Sequence, residues 1–150
     1  MTALSRADVT AQLIELESAY WYDVDRNWGR NAHEMYVDDG LFAVGDTRME
    51  GKDGVKTFYQ WRLDRGERTA RHLVSNFHLL AHDGDQASLA CVMCLYAADG
   101  VPVLESKPAI LMADVVSDCV RGTDGQWRFK SHVLTPVFMG GVKPTLPGKM

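Results

Sequence analysis

Residues 69–98 read TARHLVSNFHLLAHDGDQASLACVMCLYAA, two runs rich in strand-forming residues that meet at His82-Asp83-Gly84-Asp85. Asp and Gly tolerate the positive φ that a tight hairpin loop demands, so the stretch predicts two antiparallel strands, roughly Thr69 to His82 and Gln86 to Ala98. The same punctuation continues downstream. Ala98-Asp99-Gly100 and Gly122-Thr123-Asp124-Gly125 bracket two further runs, Pro108 to Arg121 and Gln126 to Phe138. The second half of the chain is therefore expected to be an antiparallel meander.

Upstream the periodicity is helical. Ser5-Arg6-Ala7-Asp8 has a hydroxyl cap with an acid three residues on, and Val9, Leu13, Leu16, Ala19 and Tyr20 recur at helix spacing, which predicts a helix to about Tyr22. Asp25-Arg26-Asn27-Trp28-Gly29 breaks that pattern. A short second helix is expected over Asn31 to Val37, ending in the turn Asp38-Asp39-Gly40, with a strand from Leu41 to Val44. Gly45-Asp46-Thr47-Arg48 reads as a polar hairpin. A third helix then carries Val55, Phe58, Tyr59 and Leu63. Helices followed by a meander make an α+β domain, in which a strongly curved antiparallel sheet folds over the N-terminal helices as a cone-shaped barrel and leaves a pocket. Residues 1–150 are expected to form this one domain, with Gly140 to Met150, rich in Gly and Pro, a loose tail or an arm crossing to a partner.

Composition narrows the functional classes. The chain has 150 residues, 46% of them hydrophobic, enough for a continuous core without disulfide or metal support. A net charge of -4 and the lack of basic runs argue against a nucleic-acid surface. No signal-peptide layout and no apolar stretch near ~20 residues is present, so neither secretion nor a membrane partner is expected, and the default location is cytoplasmic. Cys91 and Cys94 have a redox or zinc spacing. They lie in a strand pattern, however, where residues three apart point to opposite faces, so they read as small buried hydrophobes. The histidines and acids form no metal-ligand set and no glycine-rich phosphate loop occurs, hence no cofactor and no metal is expected.

Two residues stand out as chemistry, Asp25 after the first helix and His72 at the start of the first long strand. Alone, an Asp at a helix end is a cap or a solvated charge, and a lone His is a core residue. Together with Val24-Asp25-Arg26, the segment Tyr36-Val37-Asp38-Asp39-Gly40-Leu41-Phe42, Glu50-Gly51-Lys52-Asp53-Gly54-Val55, Arg71-His72-Leu73-Val74-Ser75-Asn76 and Gly125-Gln126-Trp127-Arg128-Phe129, they give a layout with a recognisable likeness. The chain resembles the SnoaL-like branch of the nuclear transport factor 2-like superfamily, which includes scytalone dehydratase, bile acid 7α-dehydratase, hexachlorocyclohexane dehydrochlorinase and ketosteroid isomerase-like proteins. The likeness runs from about Ala11 to Val137. It implies that Asp25 orients His72, that His72 moves a proton, and that Tyr20 occupies the position of a polarising Tyr or Lys. It also places His132 where some members carry an Arg that helps the leaving group, a departure that puts anion-leaving chemistry in doubt.

Histidine suits proton abstraction because its ordinary pKa of ~6.5 lies near working pH, and a carboxylate on one ring nitrogen fixes the tautomer and stabilises the imidazolium. Strand parity puts His72, Val74 and Asn76 on one face, and Asn76 either lines the pocket or ties down backbone. His132 shares parity with Arg128 and Lys130, so a β-bulge between Lys130 and His132 is needed to turn it inward. Arg71 reads more simply as an outward ion pair than as a ligand contact. Aromatic residues, among them Trp28, Phe58 and Tyr96, can line a pocket for a flat or polycyclic ligand, or else belong to the core. The expectation is a cofactor-independent lyase acting on a hydrophobic small molecule by dehydration or retro-aldol loss of an aldehyde, assembled as a homodimer or homotrimer. An isomerase or polyketide cyclase, a binding protein, and a subunit like the dioxygenase small subunit are the alternatives.

Overall fold

The computed structural model describes residues 3–140 and 146–147. Helix α1 (Arg6–Asn27) begins at a capping box in which the Ser5 hydroxyl accepts from the Asp8 N–H and the Asp8 carboxylate accepts from the Ser5 N–H, both at 3.0 Å. Its buried stripe is Val9, Leu13, Glu17, Tyr20 and Trp21. The helix runs five residues past the expected end at Tyr22. Its stop is Trp28 in the left-handed region, φ 54°, followed by Gly29 at φ 74°, whose N–H donates to the Asp23 carbonyl at 3.1 Å. The Asp23 carboxylate also accepts from the Asn27 side-chain amide and the Asn31 N–H. Asp25 consequently lies in the last turn of α1, not after it.

A 3-10 turn (Ala32–Met35) replaces most of the expected second helix, and β1 (Tyr36–Val44) starts earlier than expected. Asp38-Asp39-Gly40 is a bulged part of this strand: the pairing with the last strand jumps from Tyr36↔Phe129 to Leu41↔Ser131. Strand β2 (Thr47–Glu50) closes a hairpin on β1, and helix α2 (Gly51–Asp64) buries Val55, Phe58 and Tyr59. Four long strands follow, β3 (Arg68–Asp83), β4 (Gln86–Asp99), β5 (Leu111–Arg121) and β6 (Trp127–Met139). Strand β5 begins three residues after the expected Pro108, which has no N–H for a ladder. The tight turns at Gly84 and Gly125 fall as read, both at positive φ, whereas Gly100, also at positive φ, opens the long connection 100–110 between β4 and β5.

The sheet order is β2-β1-β6-β5-β4-β3, antiparallel throughout except for the parallel β1–β6 pair. Both helices pack on one face of this curved sheet, which gives the α+β architecture expected from the sequence. Between them lie the rings of Tyr20, Trp21, Tyr36, Phe42, Tyr59 and Phe129. No helix of the described residues is long and apolar enough to cross a membrane. Most of the 140–150 tail lies outside the described residues; Leu146 packs against the core.

Candidate active site

The end of α1 and the start of β3 meet at Asp25 and His72. Asp25 grips the strand twice: Oδ2 accepts from the His72 backbone N–H at 2.7 Å, and Oδ1 lies 2.6 Å from His72 Nδ1. The two side chains are only 6% and 8% exposed. A carboxylate accepts, so Nδ1 carries the proton and Nε2 is left as the basic nitrogen. Trp21 stacks on the imidazole, ring centroids 4.2 Å apart at 14°, which fixes the ring plane and offers a π face to an imidazolium. Burial pushes the His72 pKa below its ordinary value, and the bond to Asp25 pulls it partly back.

His72 lines a cleft, open at its mouth, with Trp21, Phe42, Phe58, Tyr59, Leu95 and Leu134 among its walls. A neighbouring hollow, lined by Asp25 and Trp28, shares Val24, Tyr59, Arg62 and Arg68 with it. The walls of both hollows are mostly apolar. Arg62 and Arg68 supply positive charge to both hollows. Burial pushes Arg62 down to about 10, with Arg68 nearby contributing, so it still carries its proton at neutral pH. Sequence reading missed both arginines. Arg62 was legible as the continuation of the stripe Val55, Phe58, Tyr59 along α2 at helical spacing.

Tyr20 and His132 do not line these hollows. Tyr20 is fully buried one layer below, and its hydroxyl lies 2.5 Å from the Tyr59 hydroxyl. Tyr59 therefore supplies the phenol at the cleft wall, a role the sequence reading gave to Tyr20. His132 does turn inward, by the device the parity required. The β5–β6 register passes from Cys119↔Phe129 to Asp118↔Ser131, so Lys130 is the extra residue of a bulge. His132 is completely buried, stacked on Phe129 at 4.2 Å and 5°, with Nδ1 3.0 Å from the Tyr36 hydroxyl and Nε2 between the Glu17 carboxylate oxygens at 2.7 and 3.0 Å.

The remaining candidates divide. Phe58 is buried at the cleft wall, and Trp28, 43% exposed, lines the neighbouring hollow with its Nε1–H donating to the Arg68 carbonyl at 3.3 Å. Tyr96 is a correction. It pairs with Arg71, while Leu95 faces His72, so alternation puts Tyr96 on the opposite side of the sheet, beside Arg71. Asn76 is also corrected: it is exposed, at φ 57°, within a bulge between Ser75 and His78, so it serves the backbone turn and not the cleft. Cys91 is buried and Cys94 half-buried, both as free thiols on opposite faces of β4.

Gly29 sets the position of Tyr59. A Cβ there would lie 2.5 Å from Tyr59 Cδ1 and 2.6 Å from Cγ, the immobile end of the ring, at a φ of +74° that side chains avoid. Gly29→Ala is expected to displace the ring and destabilise the fold by about 1–3 kcal/mol, read as a lowered thermal midpoint. An unchanged midpoint would mean that the turn, and Tyr59 with it, can yield.

Comparison with known proteins places this geometry. The profile of the SnoaL-like domain family matches residues 5–133. No curated protein matches the chain in sequence. Among solved structures, a candidate scytalone dehydratase from Novosphingobium aromaticivorans superposes with a TM-score of 0.77 at 18% identity, over 92% of this chain and 90% of that one. The β subunit of a candidate aromatic-ring-hydroxylating dioxygenase from the same organism gives 0.75 at 16% identity, over 88% and 91%. ActVI-ORFA from Streptomyces coelicolor gives 0.72 at 16%, over 85% and 97%. At such identities these likenesses establish the fold alone.

Proposed function

The chain belongs to the SnoaL-like domain family, and from that premise we propose that it is a cofactor-independent lyase acting on a hydrophobic, aromatic or polycyclic small molecule. The observation that carries this reading is the 2.6 Å His72 Nδ1–Asp25 Oδ1 contact at the wall of an apolar cleft. His72 Nε2 takes a proton from carbon or from a hydroxyl, Asp25 holds the ring and stabilises the imidazolium, and Tyr59 bonds to the oxygen where negative charge develops. Arg62 and Arg68 favour that charge from the cleft wall. The group lost is water, or a small aldehyde by retro-aldol cleavage.

The two guanidinium groups also favour a second outcome of the same deprotonation, in which the enolate is retained and the enzyme isomerises or cyclises its substrate. A mass-spectrometric screen of hydroxylated aromatic and polycyclic compounds tests both. Loss of water or aldehyde supports the lyase; an unchanged mass with the labelled substrate proton returned to product supports the isomerase; binding without any conversion overturns both.

The pH profile follows from His72. Its depressed pKa keeps Nε2 unprotonated below pH 6.5, so the acid limb of kcat/KM is expected below that value. Asp25 raises the His72 pKa, so Asp25→Asn is expected to move the limb further to acid while lowering the plateau. A limb moving towards neutral would assign the titration to another group.

One rung across the outer face of the sheet is apolar: Leu73, Cys94, Met112 and Phe138 are cross-strand neighbours, with Leu73 52% and Phe138 66% exposed. We assign this seam to a homodimer or homotrimer contact. Sedimentation equilibrium is expected to show an oligomer that Leu73→Lys weakens.

A further inference from the structure

Glu17 is a charged side chain, 1% exposed, on the buried stripe of α1. Its carboxylate accepts from His132 Nε2, from the Ser117 hydroxyl at 2.8 Å and, more weakly, from the Cys91 thiol at 3.9 Å. Burying a charge this deeply is costly unless it is paired, and an apolar pair of equal volume is commonly as stable. Stability alone therefore gives no reason to place it here.

What distinguishes the pair is a line of phenols leading from it to the cleft. His132 Nδ1 meets the Tyr36 hydroxyl, the Tyr36 ring meets Tyr20 edge to face with centroids 5.7 Å apart and their hydroxyls electrostatically coupled, and Tyr20 meets Tyr59, which lines the cleft beside His72. Burial holds all three phenols above their ordinary pKa, so each keeps its proton and can donate one hydrogen bond while accepting another.

We propose that Glu17 and His132 form a buried proton store, connected through Tyr36 and Tyr20 to Tyr59, which sets whether Tyr59 offers the cleft a proton or a lone pair. With one proton in excess on the pair, Nδ1–H donates to Tyr36, Tyr36 to Tyr20, Tyr20 to Tyr59, and Tyr59 donates into the cleft. Without it, Nδ1 accepts and every bond in the line reverses. When a substrate oxyanion takes the Tyr59 proton, Tyr59 recovers one from Tyr20, Tyr20 from Tyr36, and Tyr36 from Nδ1. The imidazolium becomes imidazole with Nε2–H still on Glu17. Collapse of the enol returns the proton along the same line, so no atom or charge is left over. The titratable groups facing the pair are Tyr20 on α1, Tyr36 on β1, Cys91 on β4 and Cys119 on β5, and burial raises both thiols, so none competes as an anion.

The activity arm of the test rests on the lyase reading; the other arm does not. In imidazole-15N-labelled protein, Tyr59→Phe is expected to shift the His132 Nδ1 resonance, although Tyr59 is two hydroxyls away, and Tyr36→Phe to shift it further. His132→Asn assigns the signal. An Nδ1 resonance indifferent to Tyr59→Phe would overturn the connection, whether or not turnover is ever found. In the activity arm, Glu17→Gln keeps acceptors for Ser117 and His132 but weakens the store. It is expected to lower kcat at least ~10-fold with KM little changed, and to remove the multi-proton solvent isotope effect. Wild-type turnover that Glu17→Gln leaves intact would overturn the relay while leaving the His72 mechanism standing.

Discussion

His72→Ala is expected to lower kcat by about 10²–10⁴-fold while leaving the protein folded. The imidazole is held by Asp25 at Nδ1 and by Trp21 on its face, so Nε2 is its one basic atom towards the cleft. Neither Tyr59, held above its ordinary pKa by burial, nor Arg62, which keeps its proton, can substitute for it. The fold should tolerate the change because Asp25 Oδ2 bonds to the backbone N–H of residue 72, which alanine retains. Single-turnover measurement beside thermal unfolding separates the two effects. A variant within a few-fold of wild type would remove His72 from the chemistry, whereas lost activity with lost structure would call for His72→Gln.

His132→Ala should have the largest effect on stability, about 3–5 kcal/mol. It strips the Glu17 carboxylate of its main partner at a position 1% exposed, and it opens a cavity against Phe129 and Phe42. For a chain of this size that is roughly a 10 °C fall in midpoint. Glu17→Leu combined with His132→Leu is expected to recover much of the loss, since removing both charges removes the unpaired one. A double variant no more stable than His132→Ala would show that packing around the imidazole, not the stranded carboxylate, dominates.

The meander was legible because its two tight hairpins, β3–β4 and β5–β6, carry Asp and Gly at the turn, and the capping box at Ser5 was legible for the same local reason. The helix end was not: Trp28 in a left-handed cap has no sequence signature, and Asp25 was therefore read as lying beyond the helix. Asp25 and His72 came together as expected, because a helix end over the first long strand is dictated by topology. Glu17 went unnoticed although it carried a signal, standing four residues after Leu13 on the stripe Val9, Leu13, Tyr20. Tyr96 was misplaced because alternation was followed along the strand of His72 but not across to its neighbour, where register decides the face.

The Lys130 bulge makes the inner surface of β6 depend on counting as much as on chemistry. Upstream of it Trp127 and Phe129 point inward; downstream His132 and Leu134 do. Deleting one codon at this point would straighten the strand and leave His132 and Leu134 inward and Ser131 and Val133 outward, because Phe129 and Ser131 already face Cys119 and Asp118 with Lys130 as the extra residue between them. In descent, then, this strand can lose a residue at the bulge and nowhere else without exchanging its surfaces, and relatives lacking the extra residue would carry the same inventory of buried groups on a straighter strand.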